Sequence, residues 1–161
     1  MAGNLFLQID GVTGECVESA HKGWIDVESY SEGLQSSGSS SYGGGAGVGS
    51  VSYNDMTITC QMEKAIPNLM AGCADHKHYG TAKLHATKMG GSGASWTYLE
   101  ITLTDVVVSG VHFSGSANQI PHVQVSLNFA KVKTEYWEQT AQGSKGASTN
   151  ATWNQKDNKK E

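Results

Sequence analysis

Asp75, His76 and His78 put one carboxylate and two imidazoles into one short stretch, the donor types that hold a zinc-like metal ion. On a strand, His76 and His78 would point to the same side. No third and fourth ligand stands at a helpful spacing, and the stretch follows a helix pattern. It therefore reads as a polar loop, and neither a metal nor a cofactor is expected. Asp26 and Glu28 offer a different chemistry: on one strand face they would sit ~6.6 Å apart by two residue rises. That separation suits the paired carboxylates of a glycosidase. Nothing nearby in sequence suggests a pocket that would split their pKa values, so a solvated or interfacial face is the better reading. There is no G-x-S-x-G elbow, the GSG at Gly91–Gly93 is a turn, and the GGGAG at Gly43–Gly47 lacks the Lys-Ser/Thr ending of a phosphate loop. The Asn150-Ala151-Thr152 sequon is read as coincidence. The chain is not expected to be an enzyme.

The elements around these residues are mostly strands. Leu5–Asp10 reads as the first, followed by a turn around Gly11–Gly14. Trp24–Ser31 alternates, with Trp24, Asp26, Glu28 and Tyr30 on one face and Ile25, Val27, Ser29 and Ser31 on the other. Val51–Gln61 changes apolar phase between Tyr53 and Met56, which predicts a bulge near Asn54–Asp55. Thr81–Met89 and Trp96–Val108 form a hairpin-like pair, and Ile120–Tyr136 is the last long strand. Only Ile66–Ala74 reads as a helix, with Pro67 at its first position and Leu69, Met70 and Cys73 on one face. Beyond Trp137 the chain is polar except for Trp153. The expected fold is all-β with one helix: two antiparallel sheets forming a flattened β-barrel, as a single domain over 1–161 with a polar tail from about 138.

Composition narrows the partners. The 161 residues carry a net charge of −4, and all eleven basic residues are lysine. Arginine is the usual bidentate reader of phosphate and guanine, so its absence with an acidic balance argues against nucleic acid, and an anionic membrane fits no better. Cys16, Cys60 and Cys73 are odd in number and widely spaced, the usage of buried thiols in a reducing cytoplasm. The first ten residues, MAGNLFLQID, lack the basic n-region of a signal peptide and the length of a transmembrane span. The expected course is cytoplasmic at first, with export by a route that needs no cleaved signal.

One stretch stands apart. Gln35–Ser50, QSSGSSSYGGGAGVGS, is Gly or Ser at twelve of its sixteen positions, between two β-patterned runs. It has few side chains to bury, and fixing its glycines costs more backbone entropy than any other residue would. A long loop of this kind in a compact domain is a linker or a functional surface. Tyr42 and Val48 favour an interface, formed against another copy of the protein.

In order and spacing, the pieces resemble the haemolysin-coregulated protein (Hcp) family of the type VI secretion system. They are IDGVTGE at Ile9–Glu15, HKGWIDVESYSEG at His21–Gly33, the Gly/Ser loop, and PNLMAGCADHKH at Pro67–His78. AKLHATKMGG at Ala82–Gly91, YLEITLTDVVVSG at Tyr98–Gly110 and VSLNFAKVKTEY at Val125–Tyr136 follow. The resemblance implies a structural subunit that forms hexameric rings, with rings stacked into a tube and expelled by a contractile sheath. Its partners would be further copies of itself, the sheath, the spike, and small effectors held in the lumen. Ser37, Gly38, Ser41, Tyr42, Gly43, Gly44, Gly45, Gly47 and Val48 would form the ring-stacking loop, and Ser31 a lumen position. His21 belongs to the family-like signature and is read as structural. Ile66, in place of a small hydroxyl residue before Pro67, and the missing acidic residue in Ile120–Val125 depart from the family pattern. The alternative is a monomeric secreted β-sandwich that binds carbohydrate through Trp24, Trp96, Trp137 and Trp153.

Overall fold

The computed structural model describes residues 3–37 and 51–161. In chain order the elements are β1 (Gly3–Ile9), β2 (Ile25–Val27), β3 (Ser29–Ser31), β4 (Leu34–Ser36), β5 (Val51–Tyr53) and β6 (Met56–Gln61). Then come α1 (Ala65–Ala74), β7 (His78–Met89), β8 (Ser95–Ser114), β9 (His122–Gln139), β10 (Lys145–Asn154) and β11 (Lys159–Lys160). Among the described residues all pairings are antiparallel, and the fold is mostly β with one short helix. Among the described residues no helix is long and apolar enough to cross a membrane.

The expectation of two sheets closed into a flattened barrel needs correction. The described strands form one nine-stranded sheet and a separate β4–β5 ribbon, and continuous pairing does not close a barrel. The reason lies in β9. At 18 residues it pairs with β8 along most of its length, with β6 along its first third and with β10 along its second half. The sheet therefore branches at β9 instead of splitting in two. The path changes partner at Glu28, whose N–H donates to Thr59 O at 2.8 Å: β2 before it is bonded to β1 and β3 after it to β6. Phase changes across this break: Ile25 and Val27 face the core, whereas after Glu28 it is Tyr30 that packs inward.

One apolar core fills the space between the strands. Leu7, Ile9, Ile25, Met56, Ile58, Leu84, Leu103, Val125 and Leu127 are all essentially without exposed surface. The expected irregularity at Asn54–Asp55 is present, and it has a use. Asp55 accepts hydrogen bonds from Ser109 Oγ at 2.6 Å and Asn128 Nδ2 at 2.9 Å, tying the break to β8 and β9.

The helix differs in its buried face. Ala65, Ile66, Leu69 and Gly72 are buried, while Met70 is exposed. Gly72 takes the inward place because the Tyr79 hydroxyl sits on it, where any side chain would collide. Pro67 lies in the first turn, two residues after the start. Lys64 at the N-cap provides no side-chain cap. Carboxylates from elsewhere do the work: Glu63 accepts from Ala65 N at 3.3 Å, and Glu15 accepts from Lys64 N at 3.0 Å. The polar stretch beyond Trp137 is built into the sheet. Lys145–Asn154 is a strand paired with β9, because Trp153 reaches the core and Thr152, Asn150 and Ser148 continue the ladder.

Candidate functional site

Alternation in β6 and β9 buries Met56, Ile58 and Cys60 and Val123, Val125 and Leu127. Their intervening neighbours must face outward. Register then lines them up in two rows across four strands. One row is Ser29, Thr59, Gln124 and His112; the next is Ser31, Thr57, Ser126 and Gly110. Ser29 and Thr59 share a hydroxyl–hydroxyl bond of 2.5 Å, and Thr57 and Ser126 one of 3.4 Å. Neither row contains a lysine or a carboxylate. At the rim, Glu28 Oε1 lies 3.3 Å from His122 Nδ1, and a cleft of about 400 Å³ opens between Thr59, His112, Phe113 and His122. This surface offers small hydroxyls and amides and little fixed charge.

The opposite end of the sheet is different. A single row runs Asp26, Phe6, His85, Glu100, Glu135 and Asn150 across β2, β1, β7, β8, β9 and β10. Phe6 faces away from the main core yet is 4% exposed, because the β1–β2 connection folds over it. His21 from that connection stacks on the Phe6 ring at 4.1 Å between centroids, and Trp24 packs against both His21 and His85. Gly14 lets the connection double back: a Cβ there would overlap the Trp24 carbonyl.

The residues singled out for chemistry do not converge. His76 takes a left-handed backbone (φ 54°) just past the helix cap, where Lys77 N and His76 N bond back to Gly72 O and Cys73 O. His78 instead begins β7 and pairs with Asp105 at 2.9 Å. Asp26 and Glu28 line one open cleft of about 410 Å³ with Glu15 and Glu63, but Glu28 sits at the strand break and both are exposed. Burial raises the Glu63 carboxyl above its ordinary range. Among the described residues no group of three or more metal-binding side chains forms. All three cysteines are free, and burial pushes the Cys60 thiol up to about 12, so it is a packing residue and not a nucleophile.

The four tryptophans are dispersed. Trp24 is in the His21–His85 cluster, Trp96 and Trp137 lie under Lys88 and Lys145, and Trp153 packs on the core. They form no common platform for a sugar.

Ser31 is exposed on β3, in the hydroxyl-bearing row. Of the residues expected to form a ring-stacking loop, Ser37 is exposed just beyond the β4–β5 ribbon, which pairs Leu34 with Tyr53, Gln35 with Ser52 and Ser36 with Val51. Gly38, Ser41, Tyr42, Gly43, Gly44, Gly45, Gly47 and Val48 lie outside the described residues. The sequence pattern sets Ser29 and Ser31 side by side on one strand face, whereas Thr57, Thr59, Gln124 and Ser126 join their rows only through the pairing of β3, β6 and β9. The Thr–x–Thr alternation of β6 was the available signal.

A family model described as "Type VI secretion system effector, Hcp" matches residues 6–136. The chain belongs to the Hcp family. Protein hcp1 of Pseudomonas aeruginosa is 41% identical over 160 residues, 98% of each chain. The crystal structure of Hcp1 from Salmonella typhimurium is 32% identical with a TM-score of 0.81, covering 100% of both chains. A structure of a type six secretion system protein superposes with a TM-score of 0.91 at 23% identity, over 99% of this chain and 100% of that one, which shows the shared fold. As an Hcp protein the chain is a structural type VI secretion tube component, not an enzyme, and members of this family are secreted by that system.

Proposed function

We propose that this Hcp chain acts by assembly: six copies close side by side into a ring, rings stack into a tube, and the hydroxyl-bearing face lines the lumen. The observation that carries this reading is the pair of rows Ser29–Thr59–Gln124–His112 and Ser31–Thr57–Ser126–Gly110. A channel that lets different cargoes slide needs hydrogen-bonding groups without strong fixed charge or sticky apolar surface, and these rows offer that. Contacts that repeat by rotation close a ring and cover strand edges, while contacts along the axis leave the stack open-ended. The β4–β5 ribbon presents the Gly/Ser loop, with Ser37 at its root, to the next ring. Sheath, spike and effectors would be the partners, with assembly in the cytoplasm before export.

Negative-stain electron microscopy of the purified protein tests this directly. Six-fold rings with an open centre are expected. Uniform monomers over a wide concentration series would overturn the assembly reading. Replacing Ser31 with Trp should reduce effector retention while rings still form; loss of the rings themselves would remove Ser31 from the lumen. Deleting Ser37–Gly47 should leave rings intact but abolish stacking and secretion, and a deletion variant that still supports secretion would sink the role given to the loop.

A further inference from the structure

Four titratable groups stand in a chain where the β1–β2 connection covers the sheet. Glu18 Oε2 is 2.5 Å from His21 Nδ1, His21 Nε2 is 2.9 Å from His85 Nδ1, and His85 Nε2 is 2.6 Å from Glu100 Oε2. His21 is 4% exposed. Each link needs one proton between its two heavy atoms. A neutral imidazole carries one N–H and one lone pair, and an ionised carboxylate only accepts. Two neutral rings therefore bring two protons to three links. With each ring donating to its own carboxylate, two lone pairs would face each other at the centre. Turning one ring's tautomer inward fills the centre but empties an outer link.

We propose that this chain is a proton-binding latch: Glu18, His21, His85 and Glu100 together hold one shared extra proton, and its release opens a link and loosens the Gly14–Trp24 segment from the sheet. The segment is otherwise a small hairpin closed on itself by Gly14 N to Gly23 O, Cys16 N to Trp24 O and Gly23 N to Cys16 O, and tied at its Glu15 end to the start of α1, where Glu15 accepts from Lys64 N and donates through its N–H to Glu63 Oε2. Its attachment to the sheet runs through the His21–His85 link, the packing of Trp24 on His85 of β7 and the stack of His21 on Phe6 of β1. The groups facing the pair oppose one another. Glu18 and Glu100 draw the proton in, with Glu135 opposite Glu100 on β9 and Asp26 opposite Phe6 on β2. Lys83 on β7 and burial work against it. Thr97 Oγ1, 3.5 Å from His85 Nδ1, can donate to that ring but leaves His21 Nε2 unpaired. Burial pushes the His85 imidazolium down and Glu100 pulls it back, while the bond to His21 holds Glu18 below the usual carboxylate range. The extra proton consequently resides on the imidazoles and leaves as pH rises through the span below the ordinary histidine value, the side to which burial moves His85.

The test uses the full chain with 15N-labelled imidazoles, followed by proton–nitrogen correlation across that pH span. His21 and His85 should titrate as a coupled pair that gives up one proton between them. Amide exchange over 15–24, corrected for its intrinsic pH dependence, should rise by about tenfold as the proton leaves, the effect of one lost charge-assisted bond. Independent titration of the two rings, or corrected exchange that stays flat, would overturn the latch. His85→Gln replaces one of the two titrating rings by a fixed amide, so its pH-dependent rise in corrected exchange should be smaller than in the parent chain. A pH step of unchanged size in that variant would equally exclude the His21–His85 link as its cause.

Discussion

The two ends of the outer sheet face are built on one core and could hardly differ more. At the β3–β6–β9 end, Ser29 and Ser31 are exposed and Thr57, Thr59 and Ser126 half-buried, with their hydroxyls partly paired among themselves. At the β1–β7–β8 end, Phe6, His85 and Glu100 lie under a folded-back segment that adds a second layer of rings and charges. Beneath both, the same alternation sends Leu7, Leu84 and Leu103 at one end, and Met56, Val125 and Leu127 at the other, into one interior. The inner face is fixed by the need to bury apolar area, which tolerates little variation. The outer face is set by what covers it, so one end carries its own lid and the other is left bare.

The first way to break this contrast is in the shared core. Leu84→Ala and Leu127→Ala remove buried side chains below opposite ends, and each should cost about 2–5 kcal/mol by urea unfolding. A loss below about 1 kcal/mol at either site would mean that the two ends do not share one tightly packed interior. Next comes the outer layer itself. Phe6→Ala should cost about 3 kcal/mol, because the ring is buried between the sheet and His21 although it faces away from the main core. Thr59→Ala, in the same layer at the bare end, should cost only about 1 kcal/mol, the worth of its bond to Ser29. Equal losses at the two positions would erase the distinction between a covered and a bare face.

Much of this was legible in the sequence. Alternation in Met56–Gln61 and Val123–Phe129 gave both the strands and their buried faces, because a half-buried strand writes its period of two directly into residue type. The phase change before Met56 correctly marked a break. The helix was found, but its face was misjudged, since no local pattern reveals that the Tyr79 hydroxyl occupies the space beside Gly72. β10 was hidden because both its faces are mostly exposed, leaving Ala, Ser, Thr and Asn where an apolar stripe would have signalled a strand. The His21–His85 contact joins residues 64 apart and follows from a loop folding over the sheet, which no spacing rule encodes. The bare face needed register as well as alternation: Thr57, Ser126 and Ser31 become neighbours only once β3, β6 and β9 are aligned.

The gentlest probe sits on the charged end. Glu100 and Glu135 are directly opposite each other on β8 and β9, an arrangement that repels unless each carboxylate has its own cation. Glu100 has His85 at 2.6 Å, and Glu135 has Lys133 Nζ at 3.8 Å. Lys133→Ala removes the second of these and leaves the apolar layers untouched. The lysine is exposed and its contact long, so the loss should be about 0.5 kcal/mol at low ionic strength. In roughly 1 M salt, where charges are screened within about 3 Å, the difference from the parent chain should vanish. A loss that persists unchanged in high salt would show that Lys133 works through its aliphatic stem and not its charge. The cross-strand carboxylates would then have to be kept apart by His85 alone, which ties the stability of this end to the protonation of the histidine pair.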